Sequence, residues 1–150
     1  MSKGMRNSLR TGLVAIGVAA ALAGCGMMQN AENRVSDNML SLTGAKEVPP
    51  VTTSASGSGW VHVHADHTVT AKLTVTDMTP TASHIHMATA GANGPVIVPF
   101  TKEGDNTFVA PPGAKLSDEQ YEALKAGKLY VNVHSAKSPG GEIRAQLKGW

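Results

Sequence analysis

The chain has 150 residues, a formal net charge of +2 and only 4% aromatic residues. That length allows one domain plus an export signal and a tether. So small a charge, with no basic stripe carrying interleaved aromatics, sets nucleic acid aside as a partner. Val and Thr crowd the middle of the chain, and both suit a pleated, half-buried surface.

The N-terminus reads as a targeting segment. Lys3, Arg6 and Arg10 form a basic start, and the apolar run Leu13 to Ala23 follows. At about a dozen residues that run is too short for a comfortable membrane span and right for a signal peptide. It ends in Leu22-Ala23-Gly24-Cys25, which resembles a lipobox; Cys25 is the single cysteine of the chain. The expectation is a signal peptide over 1–24, lipidation at Cys25, and anchoring of the mature chain on a membrane by its lipid. Gly26 follows in place of Asp, which by resemblance to known lipoproteins points to the outer membrane, facing the periplasm. Residues 25–38 are polar and without period, and read as a flexible tether; the domain proper is expected over 39–150.

Within that domain the signal is period two. Val61 and Val63 alternate with Trp60, His62 and His64, and a turn at Asp66-His67 leads into Val69, Ala71, Leu73 and Val75, which alternate with Thr and Lys. Ser83-His84-Ile85-His86 reads as a third strand with Ile85 inward and both histidines outward. Gly91-Ala92-Asn93-Gly94-Pro95 is a turn cluster before the short apolar strand Val96-Ile97-Val98. Leu129, Val131 and Val133 alternate with Tyr130, Asn132 and His134. The turn Ser138-Pro139-Gly140-Gly141 then leads to Ile143, Ala145 and Leu147, alternating with Glu142, Arg144 and Gln146. One short helix interrupts the pattern near 117–126: Ser117 and Gln120 form a capping box, Leu116, Tyr121 and Leu124 supply the apolar stripe, and Gly127 stops it. The fold expected is mainly β, an antiparallel Greek-key sandwich or barrel with one helix.

All six histidines fall in this domain, at positions 62, 64, 67, 84, 86 and 134. Residues i and i+2 of a strand share a face, so each His-x-His pair offers two imidazoles to one ion, and three or four such ligands suit Cu, Zn or Ni. His84, His86 and His134 lie near strand ends or turns and make the better candidates. Arg144, outward on the neighbouring strand, adds a guanidinium for a small anion.

Four motifs in order carry a family resemblance: Leu42-Thr43-Gly44-Ala45-Lys46-Glu47-Val48-Pro49-Pro50, then His84-Ile85-His86 with Gly91-Ala92-Asn93-Gly94-Pro95-Val96, then Leu129 to His134, then Pro139-Gly140-Gly141-Glu142-Ile143-Arg144. Together they resemble a chordin-type (CHRD) domain over residues 40 to 148, a family whose bacterial members are often exported. A more distant resemblance is to the Cu/Zn superoxide dismutases. It implies that His84 and His86 match a copper-binding strand pair, that His134 matches a later copper ligand, and that Arg144 matches the arginine that guides superoxide. The bridging histidine, the zinc cluster and the disulfide of those enzymes have no counterpart here. Any site would therefore hold copper alone, with His62, His64, Met87 or water as the fourth ligand.

Three readings follow. One is a periplasm-facing metal-binding lipoprotein, copper foremost, whose affinity falls as pH drops below about 6.5. Another is a copper-only, superoxide dismutase-like oxidoreductase with Arg144 as anion guide. The third is a structural or protein-interaction module, in which His84 and His134 hydrogen-bond the rim loops. No Gly-x-Ser-x-Gly elbow, phosphate loop or dinucleotide fingerprint is present.

Overall fold

The computed structural model describes residues 34–150; the signal segment, Cys25 and residues 26–33 lie outside them. Among the described residues nine strands carry the fold: β1 (Arg34–Thr43), β2 (Ser56–His64), β3 (Val69–Thr76), β4 (Pro80–Met87), β5 (Val96–Pro99), β6 (Thr101–Glu103), β7 (Thr107–Val109), β8 (Leu129–Ser135) and β9 (Ile143–Gln146). One helix, α1 (Asp118–Lys125), precedes β8. In β3 the alternation is complete, with Val69, Ala71, Leu73 and Val75 buried and the residues between them exposed.

All pairings in the sheet are antiparallel, in the order β5-β4-β8-β9-β1-β2-β3-β7-β6. The two edge strands of that order, β5 and β6, are consecutive in the chain, separated by Phe100 alone. A flat sheet cannot satisfy this connection, so the sheet curls into a nearly closed barrel. Phe100 N–H donates to the Ser83 carbonyl at 2.9 Å, and Lys102 Nζ to the Pro80 carbonyl at 2.9 Å, which draws the seam together. The barrel interior is filled by aliphatic residues of opposing strands, among them Leu42, Val61, Leu73, Ile85, Val131, Val133 and Ile143. The helix is capped as its sequence dictates. Ser117 Oγ accepts from Gln120 N–H, and Gln120 Oε1 accepts from Ser117 N–H. Leu124 enters the core and Gly127 takes the positive φ, 69°, that ends the helix.

Three features depart from the expectation. Strand β1 opens at Arg34, inside the segment 25–38 read as tether. Its inward positions Ser36 and Asn38 are polar, which conceals the period; they are satisfied by each other and by the chain end, Asn38 Oδ1 accepting from Lys148 N–H at 2.6 Å. Strands β6 and β7 are only three residues each and carry too few apolar positions to announce themselves, yet β7 delivers Phe108 to the core. The outer face of β8 and β9 is not solvated, since segments 88–95 and 44–51 lie over it. Phe108→Ala should lower the unfolding free energy by roughly 3–5 kcal/mol in a denaturant melt, the usual cost of emptying a core aromatic site.

Candidate metal centre

The ladder between β4 and β8 sets Asn132 opposite His84, Tyr130 opposite His86 and Ala82 opposite His134. Cross-strand neighbours on one face have Cβ atoms about 5 Å apart, so three imidazoles from two strands converge. One ring nitrogen from each of His84, His86 and His134 lies within 4.8 Å of the other two. His84 Nδ1 and His134 Nε2 stand 3.0 Å apart. Two nitrogens on one ion at about 2.05 Å are separated by about 2.9 to 3.3 Å for bond angles from 90° to tetrahedral, so this pair already has the spacing of joint ligands.

The hydrogen bonds select the donor atoms. His86 Nδ1–H donates to the Gly94 carbonyl at 2.9 Å, and His134 Nδ1–H to the Pro139 carbonyl at 2.8 Å. Each bond fixes the tautomer and leaves Nε2 with its lone pair, the usual way a protein orients a ligating histidine. His86 is 7% exposed, and its Nε2 completes no hydrogen bond. Burial, reinforced by the neighbouring His134 and His86, pushes His84 down to about 4 from its ordinary 6.5. Burial also lowers His86, against the upward pull of the Gly94 carbonyl and Asn132 and with further lowering from His134 and Arg144. Both rings are therefore neutral at pH 7, the form that binds metal. The expected loss of affinity below about 6.5 moves to lower pH for His84.

The remaining expected residues stand elsewhere. Met87 points to the opposite face of β4 and packs against the core. His62 stacks on Trp60 and lies 3.4 Å from Asp37, and His64 reaches Thr70; both are on β2, three strands beyond β8 in the sheet order. None of the three joins the cluster. The outward, anion-guiding Arg144 is corrected. It is 2% exposed, and its guanidinium donates to Asn93 Oδ1 (3.1 Å), the Ala92 carbonyl (2.9 Å), Gln146 Oε1 (3.3 Å) and the Thr89 carbonyl (3.5 Å). Its Cζ sits 3.4 Å from the Tyr130 ring centroid. The donors that would meet an anion are engaged in holding segment 88–95 down.

That segment in turn shapes the site. Tyr130, stacked on His86 with ring centroids 4.8 Å apart, accepts from Gly94 N–H. Asn93 Nδ2 donates to the Val48 carbonyl, and Gln146 Nε2 to those of Ala88 and Gly127. A Cβ on Gly94 would collide with the Met87 carbonyl, so only glycine lets the loop come this close. The turn that offers the Pro139 carbonyl is braced by Glu142, which accepts from Thr53 Oγ1 at 2.6 Å and from Ser135 Oγ. Burial would raise the Glu142 carboxyl, but those hydrogen bonds outweigh it and hold it below the usual range.

Behind Asn132 lies Glu47, 4% exposed, raised by burial and pulled back by Arg144, the Val48 backbone and Asn132. Sequence reasoning did not single out Tyr130, Asn132, Asn93 or Gln146. The available signal was their position: Asn132 shares the face of His134 two residues on, and Tyr130 precedes it by the same step.

Two outcomes follow. Arg144→Leu strips the loop carbonyls of their donor and should cost roughly 3 kcal/mol or more, with faster amide exchange over 88–94. Because His84 is depressed in the folded state, the unfolded chain takes up the extra proton; the stability present above 6.5 should fall as pH drops toward about 4. Thermal melts of the metal-free chain across that window check this, and His84→Gln should flatten the slope.

No curated protein and no solved structure is significantly similar to the chain. The model of the CHRD domain, however, matches residues 40–147, which is most of the chain and all the elements that build the histidine cluster. The chain belongs to the CHRD domain family.

Proposed function

We propose that this CHRD-domain protein is exported, anchored through a lipid at Cys25, and binds a metal ion, copper foremost, through His84, His86 and His134. One observation carries the reading. Two of the three histidines are locked by backbone carbonyls at Nδ1, which leaves Nε2 as the ring nitrogen toward the cluster: that of His134 meets His84 Nδ1 at 3.0 Å, and that of His86 is buried without a partner. A rim built only to hold loops has no need of a buried, unpartnered imidazole nitrogen at its centre. Imidazole donors suit copper and zinc alike, and copper is preferred for the likeness of the histidine pattern to copper-binding strands. Binding is favoured over turnover, because the guanidinium that a dismutase would present to superoxide is buried against Tyr130 and the loop.

The test is a copper and zinc titration of the full chain in detergent, beside a variant carrying His84→Ala and His134→Ala. Wild type should bind one copper ion, and the variant should bind more than about 100-fold more weakly, beyond the effect of losing an outer-shell partner. Equal, weak binding by both would show that the cluster is a structural rim and the domain an interaction module. Wild-type copper binding with no superoxide turnover would separate storage from catalysis.

A further inference from the structure

Asn132 stands on β8 two residues before His134, so both side chains leave the same face of the strand, and it lies directly opposite His84. It is 2% exposed. Its Nδ2 end donates at 3.5 Å to the Gly140 carbonyl and lies beside the Glu47 carboxyl, whose buried Oε1 completes no hydrogen bond. Gly141, at φ 127°, makes room for this arrangement: a Cβ there would come within 2.5 Å of Glu47 Oε1 and 2.6 Å of Asn132 Nδ2. With Nδ2 so engaged, the oxygen is the end turned toward His86. Asn132 Oδ1 completes no hydrogen bond there.

His86 gives its Nδ1–H to Gly94, so the neutral ring brings only a lone pair at Nε2, and this atom too is buried without a hydrogen bond. Two buried acceptors thus meet with no donor between them. An amide oxygen and an imidazole nitrogen left so are desolvated without compensation. A cation held between them satisfies both, and His84 Nδ1 and His134 Nε2, 3.0 Å apart, belong to the same cluster.

We infer that Asn132 Oδ1 is the fourth donor of the metal centre, completing a set of three imidazole nitrogens and one neutral amide oxygen. This rests on the metal-binding reading above and adds a ligand that the histidine pattern does not contain. The Gly140 carbonyl and the nearby Glu47 carboxyl lie on the Nδ2 side, so the amide turns its oxygen toward the ion, as outer partners orient a ligating histidine.

The test uses the full chain in detergent, titrated with Cu(II) and with Zn(II), and electron paramagnetic resonance of the Cu(II) form, for wild type, Asn132→Val and Asn132→Asp. Asn132→Val should bind at least tenfold more weakly and show a changed copper hyperfine pattern. Asn132→Asp, which keeps an oxygen and adds charge, should bind at least as tightly as wild type with a shifted pattern of its own. Unchanged affinity in the Val variant overturns the assignment, and so does weaker binding with an unchanged spectrum, which would make Asn132 a support for His86. Melts of the metal-free variants report folding. If the Val variant does not fold, the Asp variant decides: an unshifted spectrum overturns the assignment and a shifted one upholds it. Wild type binding neither metal overturns the metal reading itself, a result distinct from all of these.

Discussion

A buried guanidinium must have its donors met, and meeting those of Arg144 organises one wall of the barrel. Its partners are side-chain and carbonyl oxygens of the loop after β4 and of Gln146 beside it. Drawing that loop inward covers the outer face of β8 and β9, which antiparallel strands ordinarily leave to water. Once covered, Tyr130 is held between Arg144 and His86, and His86 finds the Gly94 carbonyl for its Nδ1–H. Burial on this face lowers the basicity of both His84 and His86. The arginine thus serves the site from behind, by placing the loop whose Gly94 carbonyl orients His86.

The division between the barrel's two surfaces explains how one small domain carries both a core and a polar centre. Along β4, Ile85 enters the aliphatic interior while His84 and His86 leave on the other side, and β8 does the same with Val131 and Val133 against Asn132 and His134. Period two makes these assignments independent, so the core can be packed without reference to the ligands. The cost of burying polar groups is confined to the outer layer, where backbone carbonyls of two loops supply the partners.

Much of the fold was legible because alternation is a local property. Strand β3, the hairpin of β8 and β9, and the Ser117–Gln120 capping box each state themselves within a few residues. The candidate ligands were legible for the same reason, since His84, His86 and His134 sit on strands whose faces the aliphatic residues define. What the alternation could not tell is whether an outward face meets water or a loop. Arg144 and Asn132 both read as solvent-facing, and both are among the most buried polar residues because distant segments fold against them: the loop carrying Thr89, Ala92 and Asn93 over Arg144, and Glu47 beside Asn132. Strand β1 was concealed by the reverse effect: Ser36 and Asn38 point inward and look like tether, since their partners, each other and Lys148, are visible only once the chain is closed.

Strand β1 also sets how far the histidines stand from the point where the preceding chain enters. It runs from Arg34, paired with His64, to Thr43, which is level through Arg144 and Asn132 with His84. Ten residues of strand span about 30 Å, so the entry point and the histidine cluster lie level with opposite ends of β1. If the chain is anchored at Cys25 as proposed, the histidine cluster would stand at the end of β1 away from the anchored side. On that reading a pull on the anchor would run lengthwise along β1, which is bonded to β2 from Arg34 to Thr43 and to β9 at Thr43.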